Sequence, residues 1–300
     1  MPPHVTDDSP AGAATPEAAF ALIGNEIRAD ILRVLGEDPH TPVTFSELRS
    51  RVDEDIDSGQ FNYHLQQMVG QFVDHEDGEE STYRLRAEGR TLYRTIRAGT
   101  FTRRATVEWF DAGFDCYFCG AAVEGGYEDG AFQLQCPACD HVYVHTTAPP
   151  STVEGAERED LLDRIDRYNR DRILSFRGGV CPICVNGMDQ ELLPGEEVWS
   201  EGSEDLDVFV HHDCDYCGNQ HYLSVGMALL HEPHVVSFFH ERGVDVTAVR
   251  HWEFEFVMTD HYTTVRSREP WEVALEITCE GDTLELVVDE SLVVLSATLS

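Results

Sequence analysis

CYFCG at 116–120 and CPAC at 136–139 read as two halves of one metal cage, and CPIC at 181–184 with CDYCG at 214–218 repeat the arrangement. Sixteen residues separate the first two pairs and twenty-nine separate the second two. Eight of the nine cysteines thus fall into four C-x-x-C knuckles. Each knuckle places two thiolates on one side of a tight loop, and two knuckles make a tetrahedral sulfur cage of the kind that suits Zn²⁺. Gly120 and Gly218, directly after two of the knuckles, can adopt the positive φ that turns backbone N–H groups toward sulfur. The expectation is two structural Zn²⁺ per chain, one held by Cys116, Cys119, Cys136 and Cys139, the other by Cys181, Cys184, Cys214 and Cys217. Interleaved pairing is the alternative; local pairing closes shorter loops and costs less entropy. Disulfides, a redox pair and iron–sulfur are the competing uses of such cysteines. The N-terminus shows neither the basic nor the apolar region of a secretory leader, which argues for thiolates in a reducing, cytoplasmic setting.

Composition bounds the rest. The chain has 300 residues, 56 acidic and 21 basic, for a net charge of −35. All the basic residues are arginine. A disordered acidic chain would lack hydrophobic periodicity, which runs throughout this one. The charge fits a protein that works in molar salt, where a Debye length of about 3 Å screens self-repulsion and dense carboxylates hold water at the surface. No apolar run approaches the length of a membrane span. Residues 1–15 read as a disordered tail.

From residue 16 the periodicity is helical. Asn25 is placed to cap a helix carrying Ile27, Ile31, Leu32, Val34 and Leu35, ended by Gly36 and Pro39. Pro42–Phe45 is extended. Ser46 opens a third helix and Ser58 a fourth, stopped by Gly70. Asp77-Gly78 marks a hairpin between strands starting at Phe72 and Thr82, and a helix covers 87–98. This order over 16–104 is that of a winged helix-turn-helix. The segments GNEIRADILRVL, FSELRSRV, SGQFNYHLQQM and TYRLRAEGRTLYRTI, within 16–99, are similar to the ArsR-type repressor family. That resemblance implies dimeric binding of promoter DNA. The metal-sensing members carry cysteines before the recognition helix; this segment has none, so metal sensing does not carry over.

The candidate contacts with double-stranded DNA follow from the residues. On the fourth helix Gln60, Tyr63, His64 and Gln67 lie opposite the core positions Phe61, Leu65 and Met68, and glutamine reads adenine by paired hydrogen bonds. Between 84 and 104 there are seven arginines and one acid, Glu88. Arg84 and Arg86 share a strand face, and Arg90, Arg94 and Arg97 a helix face, which makes this the candidate phosphate-facing patch. The acids Asp53, Glu54, Asp55 and Asp57 crowd the entrance to the fourth helix and count against it.

Beyond residue 104 the expectation is a series of modules: a zinc ribbon at 105–150, a connecting helix at 151–177, a second ribbon at 178–226 and an α+β segment at 227–300. In the first ribbon Gly125-Gly126 reads as the turn. The helix carries acid-before-base pairs at i, i+4, including Asp166/Arg170, each worth some tenths of a kcal/mol at low salt. His211 and His212 precede Cys214 as substitute ligands, and His231, His234 and His240 read as surface residues. Trp252, Phe254 and Phe256 alternate with Glu253 and Glu255 as a one-sided strand. A hairpin turns at Glu280-Gly281-Asp282, and Cys279 reads as core. Residues 179–300 hold 24 acids and four arginines, so nucleic acid is not expected there, whereas a protein partner is compatible with it. Together with HEPHVVSFFHERGVDV at 231–246 and WEFEF at 252–256, the chain resembles haloarchaeal regulators that join an ArsR-like domain to a Cys-rich C-terminal domain.

The predicted fold class is α+β. No nucleophile–base constellation, phosphate-binding glycine loop or open metal site appears, so an enzyme is not expected. The leading expectation is a homodimeric DNA-binding transcriptional regulator. The alternatives are an adaptor that binds protein rather than DNA, and a thiol or zinc-status sensor.

Overall fold

A computed structural model of the chain describes residues 15–78, 80–198 and 206–300. The expected tail, apart from Thr15, lies outside them, as do Glu79 and residues 199–205 within the expected second ribbon. The fold is mixed α+β with antiparallel sheets, and the chain divides into two compact units, Met1–Arg103 and Arg104–Ser300.

In the first unit α1 (Pro16–Ile23) and α2 (Glu26–Glu37) are followed by β1 (Val43–Thr44), α3 (Phe45–Val52), α4 (Ser58–Met68), β2 (Val73–Glu76), β3 (Thr82–Leu85) and α5 (Ala87–Arg97). Side chains start three of these helices. Asn25 accepts from the N–H of Arg28, Thr44 from that of Glu47, and Asp57 from those of Gly59 and Gln60. Such caps are worth about 1 kcal/mol each. Asp57, which the sequence counted as a repulsive charge, is thus what begins α4. The sheet runs β1-β3-β2, antiparallel throughout. Ile31, Leu35, Leu48, Phe61, Leu65, Val73 and Leu85 form the core. Gly36 does not end α2. It lies within the helix, where a Cβ would come within 2.4 Å of the Tyr93 ring, so its lack of a side chain lets α5 pack against α2.

In the second unit β4 (Val107–Asp115), β5 (Ala122–Glu128), β6 (Ala131–Gln135) and β7 (Val142–Thr147) form a meander. Gly125 and Gly126 are not its turn. They sit inside β5, where Phe110 and Leu134 press on one and Trp109 on the other. The chain reverses instead at Asp129-Gly130, both at positive φ. Then come α6 (Arg158–Arg177), β8 (Asp189–Pro194), β9 (Val208–Cys214), β10 (Asn219–Ser224), α7 (Val225–Leu229) and α8 (Pro233–Glu241), with the three strands in the order β10-β9-β8. A final meander comprises β11 (Thr263–Arg268), β12 (Trp271–Cys279), β13 (Asp282–Asp289) and β14 (Val294–Leu299). Its central hairpin turns on Glu280 and Gly281, both at positive φ as a two-residue turn requires. Cys279 is partly buried and packs against the core.

The WEFEF alternation does not make a strand. Residues His251–Glu253 form a 3-10 turn and Glu255–Met258 a short helix, α9. Trp252, Phe254 and Phe256 are buried while Glu253 and Glu255 are not, so the alternation marks the buried side chains although the backbone is not a strand; Val257 and Met258 extend the buried run beyond it. Tertiary contacts override the local pattern. Arg250 pairs with Glu159 and Asp163 of α6, and Gly226 admits the Phe256 carbonyl so closely that a Cβ would lie 1.8 Å from it. One hydrophobic core runs through this unit, from Phe110 and Phe132 through Leu161 and Phe176 to Trp252 and Leu286. The segments expected as separate modules share it.

Candidate metal centres and the exposed face of the first unit

The knuckles assemble as two local clusters, Cys116/Cys119/Cys136/Cys139 and Cys181/Cys184/Cys214/Cys217, with all sulfurs of a cluster within 4.8 Å of one another. Each knuckle closes in the same way. In the first, the Cys116 N–H donates to the Ala121 carbonyl and the Gly120 N–H to the Cys116 carbonyl, at 2.7 and 2.8 Å. The residue after each second cysteine is left-handed: Gly120, Asp140, Val185 and Gly218, at φ +75°, +60°, +63° and +69°. The sequence pointed to the two glycines and not to the other two positions.

Sulfur spacing tests what fits. Cys116–Cys139 and Cys119–Cys136 are 3.7 and 3.4 Å apart, and Cys181–Cys217 and Cys184–Cys214 are both 3.6 Å. A disulfide needs about 2.05 Å. A tetrahedron with metal–sulfur bonds of about 2.3 Å has edges of about 3.8 Å. The clusters therefore fit a four-thiolate metal ion. Burial opposes ionisation of Cys116, but the Tyr143 hydroxyl, donating to its sulfur at 3.1 Å, and the N–H groups of Cys119 and Phe118 outweigh it and bring the pKa to about 6. For Cys181 burial is outweighed by the N–H groups of Cys184 and Ile183, again to about 6. Tyr143 was not singled out in the sequence, and only the fold brings it to the sulfur. His211 and His212 are not in the cluster: His211 Nδ1 lies 3.1 Å from Glu191, and His212 stacks on Phe176.

Val185 is a β-branched residue held at +63°, where a left-handed L-residue costs roughly 1–2 kcal/mol. Its side chain is exposed, so little packing is lost on removal. Val185→Gly is expected to stabilise the metal-loaded protein by up to about 1 kcal/mol after the glycine's added unfolded-state entropy, read as a raised melting temperature. A lowered melting temperature would remove strain as the account of this position.

On α4, Gln60, Tyr63 and Gln67 are exposed along one face. His64 is half-buried, its Nδ1 3.3 Å from the Arg28 guanidinium; burial first and that cation second hold its pKa below the usual imidazole value. Arg84 pairs with Glu76 at 2.7 Å, and Arg86 with Asp74 at 3.1 Å and Glu88 at 3.5 Å. Arg90 donates to the Leu85 carbonyl at 2.8 Å, and Arg94 is exposed. The arginine-rich run thus meets acids from β2 that its own stretch of sequence did not contain.

Sequence reasoning missed a buried polar cluster on α6. Arg170 Nε donates to Asp166 at 2.7 Å and its other nitrogens to the carbonyls of Val246 and Val249. The same carboxylate accepts from the His251 backbone N–H at 2.8 Å and lies 2.7 Å from its ring Nδ1. All three residues are buried, so Asp166/Arg170 is a core pair and not one of the i, i+4 pairs whose worth is some tenths of a kcal/mol. His231 is likewise partly buried rather than on the surface. Asp-x-x-x-Arg spacing carries no mark that separates a buried pair from an exposed one.

The fold and its clusters define an α+β protein with two Cys₄ sites able to hold metal ions. Residues 113–294 match the family described as a domain of unknown function (DUF7351), and the chain belongs to that family. Residues 16–96 match a second, described as a domain of unknown function (DUF7347). Neither description names an ArsR-type or winged-helix family. No curated protein and no solved structure matches the chain. Among the described residues, no helix is long and apolar enough to cross a membrane.

Proposed function

We propose that this protein is a DNA-binding transcriptional regulator of a halophilic archaeon. Its first unit acts as a winged helix-turn-helix, and its second is a zinc-stabilised region that senses, dimerises or recruits. The observation that carries the reading is the order α2-β1-α3-α4-β2-β3-α5 around a β1-β3-β2 sheet, with Gln60, Tyr63 and Gln67 exposed on α4. In such a unit α4 enters the major groove and the β2–β3 hairpin flanks it. The glutamines read base edges, while Arg94 and the arginines of the hairpin reach phosphates. Arg84 and Arg86 would exchange Asp74, Glu76 and Glu88 for phosphate oxygens. Molar salt suppresses counterion release, so affinity leans on direct hydrogen bonds and shape. The homodimer is carried by the ArsR-type resemblance. Four thiolates per site, spaced for a closed tetrahedron, favour structural Zn²⁺.

The test is capture of genomic fragments by purified protein in molar KCl, including its own upstream region. Wild type is expected to enrich a discrete set. Gln60→Ala or Gln67→Ala is expected to lose about 1–3 kcal/mol at one base position, and Arg94→Gln to weaken all sequences alike. Enrichment of no fragment would reject the reading. The ion pairs at Arg84 and Arg86 favour the alternative, a protein-docking adaptor, whose signature is a stable protein partner with no DNA enriched.

A further inference from the structure

The second unit carries a partly open cavity of about 440 Å³ between β7, α6, β10 and the 3-10 turn at His251. That volume is in the range of small-molecule sites. Its wall runs against the chain's composition. In a protein with 56 acids among 300 residues, none of the nineteen described residues lining it is Asp or Glu. The wall carries one permanent charge, Arg172, together with His145, His221, His251 and Asn169. Ile173, Val257 and Met258 supply an apolar side.

Arg172 is placed as a receptor rather than as a partner. Its guanidinium lies over the rings of Tyr168 and Phe176, 5.5 and 5.9 Å from their centres, and Nη1 donates to the Tyr168 hydroxyl at 3.1 Å. Among the described residues it has no ion pair, whereas Arg84, Arg86, Arg170 and Arg250 each have a carboxylate. A half-buried cation left unpaired costs free energy that an anionic ligand recovers. The imidazoles are set to add hydrogen bonds. His221 stacks on Phe176 at 4.6 Å, and burial, then Arg172, keeps it neutral. His251 gives its Nδ1 hydrogen to Asp166, which leaves Nε2 as an acceptor for a ligand hydroxyl and not as a donor to the carboxylate.

We propose that this cavity binds a small organic anion, with a carboxylate on Arg172 and Asn169, a hydrogen bond from His221, and a ring or chain against Ile173, Val257 and Met258. Among the described residues of this wall a cation finds no counter-charge, and a neutral ligand leaves Arg172 unpaired. The proposal stands apart from the DNA reading, since it concerns binding alone.

Titration calorimetry on the full-length, metal-loaded protein in molar KCl tests it, with 2-naphthoate, its neutral isostere 2-naphthamide and the cationic 2-(aminomethyl)naphthalene as probes. The expected result is saturable binding of one 2-naphthoate per chain, at least about tenfold tighter than the amide, the scale of one charge-assisted hydrogen bond, and no binding of the amine. Arg172→Met is expected to abolish the preference for the carboxylate. Because that change also removes ring packing, Asn169→Asp serves as an isosteric second variant. It puts a carboxylate on the wall and is expected to weaken 2-naphthoate by about tenfold or more with metal content and melting temperature unchanged. Absence of saturable binding, equal affinity for acid and amide, or indifference to both variants would overturn the proposal.

Discussion

Cys136→Ser is expected to release one metal ion per chain and to unfold residues 104–300 as a whole, not the first cage alone. Cys136 is fully buried at the end of β6. The Phe132 and Leu134 side chains of that strand belong to the same core as Trp252 and Leu286. A structural zinc contributes roughly 10–16 kcal/mol of apparent binding energy at neutral pH, and a folded domain is stable by only about 5–15 kcal/mol. Losing one site therefore removes an amount comparable with the stability of the unit. Independent ribbons would behave differently, each melting on its own. The first unit has a separate core with no residue in common, so its transition is expected to persist. Metal analysis with thermal melts followed by circular dichroism reads both outcomes. Loss of one metal with the second unit still melting at its wild-type temperature would show that the shared core outlives the cage.

The second large effect is expected at Asp166. Asp166→Ala leaves Arg170 buried without its carboxylate and His251 without its acceptor, and breaking such a pair typically costs about 3–5 kcal/mol. Arg170→Met costs less than the sum implies when combined with Asp166→Leu, because the pair is then removed together, although the carbonyls of Val246 and Val249 still lose their donor. A pH series adds a separate signature. Burial would raise the Asp166 pKa, but His251 and Arg170 outweigh it and the net shift is down; burial lowers that of His251, with Asp166 acting against it. Both groups bind protons more weakly folded than unfolded. Their contribution is therefore complete above about pH 6.5, the ordinary histidine value, and is lost as pH falls. The histidine share goes first, below about 6.5, and the aspartate share below about 3.9. His251→Phe is expected to flatten the upper part of this profile. An unchanged slope between pH 6.5 and 5 would assign that loss to other groups.

Much of the first unit was legible in its sequence because its signals are local. Asn25 and Asp57 sit directly before helical periodicity, Asp77-Gly78 separates two short strands, and each apolar face matches one period. Gly36 misled because a glycine near a helix end reads the same whether it terminates the helix or admits a ring from elsewhere. In the second unit the edge strands β8 and β11 left no clear mark; TTVRSR at 263–268 alternates in burial but carries a single apolar residue, Val265, so its residue types do not show the alternation. The arginine run was counted along the chain, whereas its charge is answered by Asp74 and Glu76 across the hairpin.

The sequence by itself determined the metal-binding clusters, because a C-x-x-C turn brings its thiolates together through short-range backbone geometry and shorter loops favour local pairing. Val185, β-branched yet at positive φ, shows that geometry imposed against residue preference, whereas Asp140 is a residue type that tolerates it. Only the tertiary structure decided what surrounds the cages. Burial is a property of all the elements that pack on a side chain, so no local pattern could place Asp166 and Arg170 inside, bring Tyr143 to Cys116, or clear the wall around Arg172 of acids.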